Sequence, residues 1–324
     1  MTLRTKPTQS SDNPPLYKRH SQPWPGLASK MDPRPDHGEQ SYRGTGRLAG
    51  RKALITGGDS GLGRAAAIAY AREGADVAIN YLPIEEPDAQ EVITLIKAEN
   101  RIGLAIPGDI REEAFCQQLV AQAVNGLGGL DIVVNNASRQ QSHASILDIS
   151  TEQFDWTMKT SIYAPFWIIK AALPYLKPGS AIIGTASEQA FDPSPNLYDY
   201  AQTKAATINY VQSLAKQLAP QGICVNAVAP GAIWTPFLVS AGLTQESLEK
   251  FGGQASLGLA AQPAELAPIY VQFAATAATG QVYRQLRQKG PGTRLQVGRL
   301  AAFLKNLARS THRFISRANL TPSV

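Results

Sequence analysis

The stretch Ala53-Leu54-Ile55-Thr56-Gly57-Gly58-Asp59-Ser60-Gly61-Leu62-Gly63-Arg64 decides the fold of this chain. Three apolar residues form a short buried strand, a glycine-rich turn follows, and an alanine-rich helix runs on through Arg72. The glycines let the backbone turn tightly and approach a pyrophosphate, which the helix N-terminus binds through free N–H groups and its dipole. A tight turn without a ligand is the weaker interpretation in this context. The stretch therefore predicts a dinucleotide site formed by Gly57, Asp59, Ser60, Gly61, Leu62 and Gly63.

Strand and helix patterns alternate through the rest of the chain. Apolar runs predict strands at residues 75–80, 104–106, 130–134, 181–184 and 224–228, and helices are expected at 88–99, 112–125, 151–176 and 198–218. Pro165 is expected to bend the helix 151–176. Apolar strands without polar alternation, joined by helices, indicate a parallel sheet covered on both faces. The fold class is therefore α/β, a single doubly wound Rossmann domain whose ligands bind at the carboxyl ends of the strands.

A second pattern, formed by Tyr200 and Lys204 with Ser187 thirteen residues before the tyrosine, points to chemistry. A spacing of four places the phenol and the ammonium on one helix face. An ammonium so close favours the phenolate and lowers the phenol pKa, as a general acid–base group requires. Without further evidence, a tyrosine and a lysine at this spacing are more often an exposed pair on a helix surface. Downstream of the glycine turn in the same domain, it predicts a hydride-transfer site.

Composition limits the classes of protein to consider. The chain has 324 residues, 44% of them hydrophobic and 17% charged, which suits one large or two small domains. Cys116 and Cys224 lie far apart, so neither a disulfide framework nor a metal site is predicted. No run approaches eighteen apolar residues, and residues 1–40 lack the apolar core of a signal peptide. A cytoplasmic protein is expected.

Both ends of the chain differ from the predicted domain, residues 46–283. Residues 1–45 are rich in proline and poor in aliphatics, which predicts an extended, partly disordered arm. Residues 284–324 contain nine Lys or Arg and no acid, whereas the other 283 residues contain 22 basic and 25 acidic ones. The net charge of +6 is therefore a property of the tail. A nucleic-acid partner is not expected for such a mildly acidic body.

The basic tail has two interpretations. Leu300, Phe303, Leu304 and Leu307 follow helical spacing among basic residues, as in an amphipathic helix on an anionic membrane or an acidic partner. The other interpretation is a non-homologous terminus without a selected role. The second is favoured, so membrane contact of the tail is not expected.

Taken together, these motifs resemble those of short-chain dehydrogenases/reductases. The resemblance is to the extended-arm group that includes glucose/ribitol dehydrogenase-like proteins and bacterial general-stress oxidoreductases. It covers about residues 22–283 and rests on the glycine turn, the tyrosine–lysine pair, Asn135-Asn136-Ala137, and residues 33–39, 41–42, 193–197, 228–231 and 234–236.

The resemblance implies a role for each matching residue. Tyr200 would be the acid–base, Lys204 would lower its pKa and hold the nicotinamide ribose, and Ser187 would hydrogen-bond the substrate oxygen. The implied dinucleotide contacts are Asp109 and Ile110 beside the adenine, Asn135 and Ala137 beside the adenosine ribose, and Pro230, Gly231, Ile233 and Thr235 around the nicotinamide. The implied reaction is reversible hydride transfer between a secondary alcohol, such as a sugar or polyol, and its carbonyl.

Several positions depart from the family pattern. Ser161 stands where relatives have an asparagine that supports a proton-relay water, and Ser138 stands where many have glycine. After Tyr283 the expected last strand and glycine-rich end give way to the basic tail. These departures support an alternative, a catalytically impaired dinucleotide-binding relative that acts as a sensor or scaffold.

The cofactor prediction rests on the second strand. An acid at its end would grip the ribose 2′-hydroxyl of NAD, but the strand ends Asn80-Tyr81-Leu82, and Glu85 follows too far along to decide. This pattern favours NADP over NAD, with Asn80 among the cofactor contacts.

Family members pair through the helices predicted here at 151–176 and 198–218. Aromatic and apolar side chains expected on the paired surface are Phe154, Trp156, Phe166, Trp167 and Ile168. Nine basic charges per tail repel one another in any larger assembly. A homodimer is predicted, with a tetramer as the alternative.

Overall fold

A computed structural model describes residues 21–243, 248 and 260–285. Its centre is one parallel sheet of strand order β3-β2-β1-β4-β5-β6-β7. The strands are Lys52–Thr56 (β1), Asp76–Tyr81 (β2), Gly103–Pro107 (β3), Ile132–Asn135 (β4), Ala181–Thr185 (β5), Cys224–Ala229 (β6) and Val282–Arg284 (β7). In the middle of the sheet, Ile55 lies opposite Ile79 on one side and Val134 on the other. The predicted doubly wound parallel sheet is confirmed.

Helices cover both faces of the sheet, because successive strand residues point to opposite sides. The helices are Gly61–Arg72 (α1), Glu86–Ala98 (α2), Glu113–Leu127 (α3), Thr151–Met158 (α4), Ala164–Ala172 (α5), Tyr198–Leu218 (α6), Pro236–Val239 (α7) and Pro263–Ala275 (α8). Ile55 packs into one apolar core with α1, α2 and α8, whereas its neighbour Leu54 packs into another with α3, α5 and α6. Both faces of the strands are buried against helices, which explains why their sequences do not alternate between apolar and polar residues.

The predicted helix 151–176 changes type along its length. Helix α4 widens into a π-helical turn at Lys159–Tyr163, α5 follows, and a 3-10 turn at Leu173–Tyr175 ends the element. Pro165 lies just after the wide turn, and it has no N–H to donate to the carbonyl of Ser161. The irregularity therefore precedes the proline instead of centring on it, and it contains Ser161. Such π-turns frequently occur at functional sites.

The described part of the arm is held against the domain by hydrogen bonds and by the packing of Met31 into an apolar cluster of the domain. The backbone N–H groups of Ala28 and Ser29 donate to the Asp88 carboxylate at 2.5 and 3.1 Å. The indole of Trp234 donates to the Pro33 carbonyl at 2.7 Å. Because a proline-rich segment has few aliphatic side chains to bury, backbone hydrogen bonds supplement this packing. The first twenty residues of the predicted arm lie outside the described residues.

The C-terminal end of the described chain corrects one expectation. The last strand was expected to be lost after Tyr283, but β7 runs through Arg284 and pairs in parallel with β6, Val228 lying opposite Tyr283. The short strand Val-Tyr-Arg is enough to complete the sheet edge. The rest of the predicted basic tail, from residue 286 onward, lies outside the described residues. Within the part of the chain that the structure describes, no helix has the length and apolarity needed to cross a membrane.

Candidate active site

A cleft of about 580 Å³ opens at the carboxyl ends of the strands. The glycine turn after β1 and the end of β2 line one side of it, and Tyr200 and Phe237 line the other. This is where a doubly wound sheet binds its ligands. The cleft therefore joins the two motifs that the sequence singled out.

The glycine turn has the geometry of a phosphate cradle. Gly57 and Gly61 have φ of 61° and 51°, values that side chains other than glycine rarely adopt. A Cβ on Gly63 would lie 1.9 Å from the Gly57 carbonyl oxygen, so only glycine allows the turn and α1 to pack this closely. The Asn136 amide braces the turn by donating to the carbonyls of Thr56 and Gly57 at 3.1 and 3.0 Å. These residues fit the pyrophosphate of a dinucleotide.

Ser187, Tyr200 and Lys204 meet in the cleft because two elements end or begin there. Ser187 follows β5, and Tyr200 and Lys204 lie in the first two turns of α6. All three side chains are buried but line the cleft. The Lys204 Nζ donates to the carbonyl of Thr185 at 2.8 Å and lies 5.3 Å from the centre of the Tyr200 ring. The backbone N–H of Gln189 donates to the Ser187 Oγ at 3.2 Å.

The electrostatics of this trio differ from the expectation. Burial raises the pKa of Tyr200 to about 12, while a hydrogen bond with Ser187 lowers it in part. Burial also lowers the pKa of Lys204 to about 7. The expected lowering of the tyrosine pKa by the lysine is therefore wrong for the protein without ligands, because loss of hydration outweighs any attraction between the two groups. At neutral pH, Tyr200 is a protonated phenol, the form that donates a proton.

A buried carboxylate fixes the start of α6. Asp199 is completely buried and accepts a hydrogen bond from the Thr157 hydroxyl at 2.7 Å. It also accepts one from the Gln153 amide at 3.2 Å and one from the backbone N–H of Tyr200 at 2.8 Å. Since Thr157 and Gln153 belong to α4, this network links α4 to the residue that carries the phenol. It orients Tyr200 through its backbone.

The two serines that depart from the family pattern contact each other. The hydroxyls of Ser138 and Ser161 lie 2.9 Å apart, and Ser138 also lines the cleft. Ser161 is buried in the π-helical turn and does not itself line the cleft. The two departures are therefore one structural feature, a hydroxyl pair at the edge of the site.

Most of the predicted site residues line this cleft. The residues that do are Gly57, Asp59, Ser60, Gly61, Leu62, Asn80, Asp109, Ile110, Ala137, Ser187, Tyr200, Lys204, Pro230, Gly231, Ile233 and Thr235. The other three are Gly63, Asn135 and Ser161. Gly63 packs against the turn from behind, Asn135 is buried at the end of β4 while Asn136 lines the cleft, and Ser161 reaches the cleft through Ser138.

The structure adds cleft residues that sequence reasoning missed. Trp24 from the arm lines the cleft and packs edge-on against Trp156 of α4, with ring centres 5.0 Å apart. Glu85, which lay too far along the chain for the sequence to decide its role, lines the cleft four residues after β2. No local signal marks Trp24, because its position depends on contacts between the arm and distant elements.

Comparisons with known proteins show what this chain is similar to. The family model described as enoyl-(acyl carrier protein) reductase matches residues 57–284. An uncharacterized oxidoreductase of Bacillus subtilis, YhxD, is 52% identical over 285 residues, covering 86% of this chain and 95% of the relative. The chloroplastic NADPH-dependent aldehyde reductase 1 of Arabidopsis thaliana is 39% identical over 262 residues, covering 79% and 90%.

A solved structure extends the likeness to three dimensions. A short-chain dehydrogenase of Burkholderia cenocepacia, crystallised in complex with NADP, is 31% identical, with a TM-score of 0.69, covering 74% of this chain and 97% of that one. The chain belongs to the short-chain dehydrogenase/reductase family. It is an oxidoreductase of that family, and the resemblance inferred from its sequence is confirmed.

Proposed function

We propose that the protein is an NAD(P)-dependent oxidoreductase that interconverts a secondary alcohol, of sugar or polyol type, and its carbonyl by hydride transfer. The proposal rests on one observation. Ser187, Tyr200 and Lys204 line the same cleft as the glycine turn. A phenol, a hydroxyl and a buried lysine beside a dinucleotide cradle supply what such a reaction needs from the protein.

The residues that hold the dinucleotide in this proposal come from the ends of several strands. The glycine turn and the N-terminus of α1 would bind the pyrophosphate, Asp109 and Ile110 would contact the adenine, and residues 230–235 would contact the nicotinamide. The nicotinamide supplies or accepts the hydride. NADP, as the sequence favours, is supported by the NADP complex of the Burkholderia structure and by the NADPH dependence in the name of the Arabidopsis relative.

The protein supplies the proton and the orientation. For carbonyl reduction, Tyr200 donates its phenolic proton to the substrate oxygen, and the pKa of about 12 keeps that proton in place at neutral pH. The Ser187 hydroxyl donates to the same oxygen. A protonated Lys204 stabilises the phenolate that results, and Thr185 holds the lysine in position through its carbonyl. Alcohol oxidation runs through the same groups in reverse.

The lining of the substrate end supports a polyhydroxylated substrate. Polar side chains there are Ser138, Gln140, Glu188, Gln189, Ser194 and Asn196, and aromatic ones are Trp24, Trp156 and Phe237. Carboxylate, amide and hydroxyl groups pair with sugar hydroxyls, while aromatic rings pack against the C–H faces of the carbon chain. Glu188, which directly follows Ser187, adds a carboxylate to this lining.

Direct binding and a substrate panel test the proposal. NADP and NAD are titrated while the fluorescence of the four tryptophans is followed. Polyols, sugars and monohydric alcohols are then assayed by the absorbance of the reduced nicotinamide. We expect saturable binding and faster turnover of polyols or sugars. No response to either dinucleotide would remove the enzyme proposal, and activity restricted to monohydric alcohols would remove the substrate class.

The alternative, a catalytically impaired relative, is tested at the serine pair. Ser161→Asn alone places a larger amide against Ser138, whose hydroxyl lies only 2.9 Å from that of Ser161. We expect it to change turnover less than about tenfold and without gain, because crowding of the buried pair offsets the restored amide. The double variant Ser138→Gly/Ser161→Asn frees that space and serves as the control. A large gain from a nearly inactive parent in either variant would support the impaired relative.

We also predict a dimer more stable than any tetramer. Tyr163 and Phe166 on the central helical element are 49% and 58% exposed, which suits a paired surface. Ile168, expected on that surface, is instead buried in the core. Light scattering across a salt series should show larger assemblies favoured by salt and by deletion of residues 286–324, which leaves β7 intact, because both changes reduce repulsion between tails. A tight tetramer of the full chain at low salt contradicts this prediction.

A further inference from the structure

Two acidic side chains occupy the part of the cleft next to the end of β2. Asp59 lies in the glycine turn and is 1% exposed, and Glu85 follows β2 and is 8% exposed. Both line the cleft. One Asp59 oxygen, Oδ2, has no hydrogen-bond partner, whereas Glu85 accepts a hydrogen bond from the backbone N–H of Leu82 at 2.8 Å. An unpartnered buried carboxylate oxygen costs free energy unless a ligand or a proton satisfies it.

The charged groups around this acid pair do little to balance it. Asp88 of α2 adds a third carboxylate, which the arm N–H groups satisfy, and the Tyr81 hydroxyl donates to Glu86 at 2.7 Å. Arg64 of α1 is a nearby cation whose charge lowers the pKa of Asp59, as the smallest of several effects. Its Nε and Nη2 bind Glu39 and Glu91 at 3.1 and 3.0 Å, and its buried Nη1 has no hydrogen-bond partner within the described part of the chain. Among the described residues that line the cleft, Lys204 is the single basic side chain. Its ammonium donates to the carbonyl of Thr185, on the other side of the cleft from the acid pair.

The pair therefore retains protons more strongly than ordinary carboxyls. Burial raises the pKa of Asp59, and the charge of Asp88 raises it further, against hydrogen bonds from its own backbone and from Ser60. Burial also raises the pKa of Glu85, as do the charges of Asp59 and Asp88. Two carboxylates sharing a site in a low dielectric do not readily ionise together. A carboxyl donates a hydrogen bond when protonated and only accepts when ionised.

We propose that Asp59 and Glu85 form a proton-dependent selector for the 2′ substituent of the adenosine ribose. Doubly wound folds place this ribose at the end of the second strand, where the pair lies. The protonated pair donates to a 2′-phosphate and so binds NADP. The ionised pair repels the phosphate and accepts a hydrogen bond from the 2′-hydroxyl of NAD. The inference rests on the proposed function, because it requires a dinucleotide at the glycine turn.

The test compares the affinities for NADP and NAD across pH. Dissociation constants are measured between pH 6 and 9 for the full chain, for Asp59→Asn/Glu85→Gln and for Glu113→Gln, which removes an exposed acid of α3 away from the cleft. In the full chain we expect the ratio of NADP to NAD affinity to fall roughly 10- to 100-fold as pH rises, since one linked proton changes affinity up to tenfold per pH unit. Glu113→Gln should behave in the same way.

The variant Asp59→Asn/Glu85→Gln tests whether the two carboxyls cause the pH dependence. It has no proton to lose at either position, so its ratio should vary little above pH 7, where the 2′-phosphate itself has finished ionising. If the double variant is unstable in thermal melting, Glu85→Gln alone should reduce the pH dependence of the ratio. A ratio that stays constant with pH in the full chain, or an equal pH dependence in the amide variant, overturns the inference. Absence of binding to either dinucleotide at every pH would instead refute the proposed function.

Discussion

Replacing Tyr200 with phenylalanine should reduce turnover by about 10²- to 10⁴-fold, because it removes the group that exchanges a proton with the substrate oxygen. The ring itself stays, so its packing against Phe237, with ring centres 5.7 Å apart, is preserved. Dinucleotide affinity should therefore change little. Steady-state kinetics and fluorescence titration of the same preparation separate the two effects, since a loss in kcat without a loss in binding identifies a group used in the transition state.

The same helix offers a matched control, Tyr198, two residues before Tyr200. Tyr198 opens α6, is 47% exposed and lies outside the cleft, so Tyr198→Phe removes a phenol without touching the reaction. It should retain the activity of the parent. A Tyr200→Phe variant with full activity would show that another group supplies the proton. An equal loss in both variants would show that the effect comes from disturbance of the helix.

The sheet could be read from the sequence because its determinants are local. The runs around Leu54 and Ile132 are apolar at consecutive positions, and only a strand buried on both faces needs that pattern. The glycine turn was equally readable, because the close packing of Gly63 on Gly57 lies within seven residues. The expected strands all occur, with bounds that differ by at most two residues.

Features that depend on contacts between residues far apart in the chain could not be predicted from the sequence. Trp24 reaches the cleft through an arm whose composition predicts only extended chain, and Glu85 reaches it because a 3-10 turn at Pro83–Glu85 brings the chain back over the end of β2. The Ser138–Ser161 contact joins a loop after β4 to a π-turn that no propensity scale encodes. The tyrosine pKa differs from the prediction for a related reason, because spacing gives the distance to a lysine but not the degree of burial.

Lys204 should make the stability of the protein rise with pH, because burial lowers the pKa of its ammonium in the folded state. Its pKa is lowered from 10.5 to about 7 by burial, so between these values the unfolded chain carries a proton on this lysine and the folded protein does not. Because the unfolded state then binds more protons, the free energy of unfolding rises with pH across this window, by about 3–5 kcal/mol in total. Below pH 7 both states are protonated, so stability no longer changes with this titration and the full cost of burying the charged ammonium lowers it.

Lys204→Met removes this titration and, in the proposed reaction, the charge that stabilises the Tyr200 phenolate. We expect its turnover to fall at least about 100-fold. Urea unfolding of the ligand-free protein at intervals from pH 6 to 9.5 should give a curve that lacks the rise seen in the parent. Lys216→Met, which changes an exposed lysine of the same helix, should keep both the rise and the activity. If the parent and Lys204→Met curves run parallel, Lys204 is charged in the folded protein throughout, and the loss of hydration on which this argument depends is offset by a partner within the cleft.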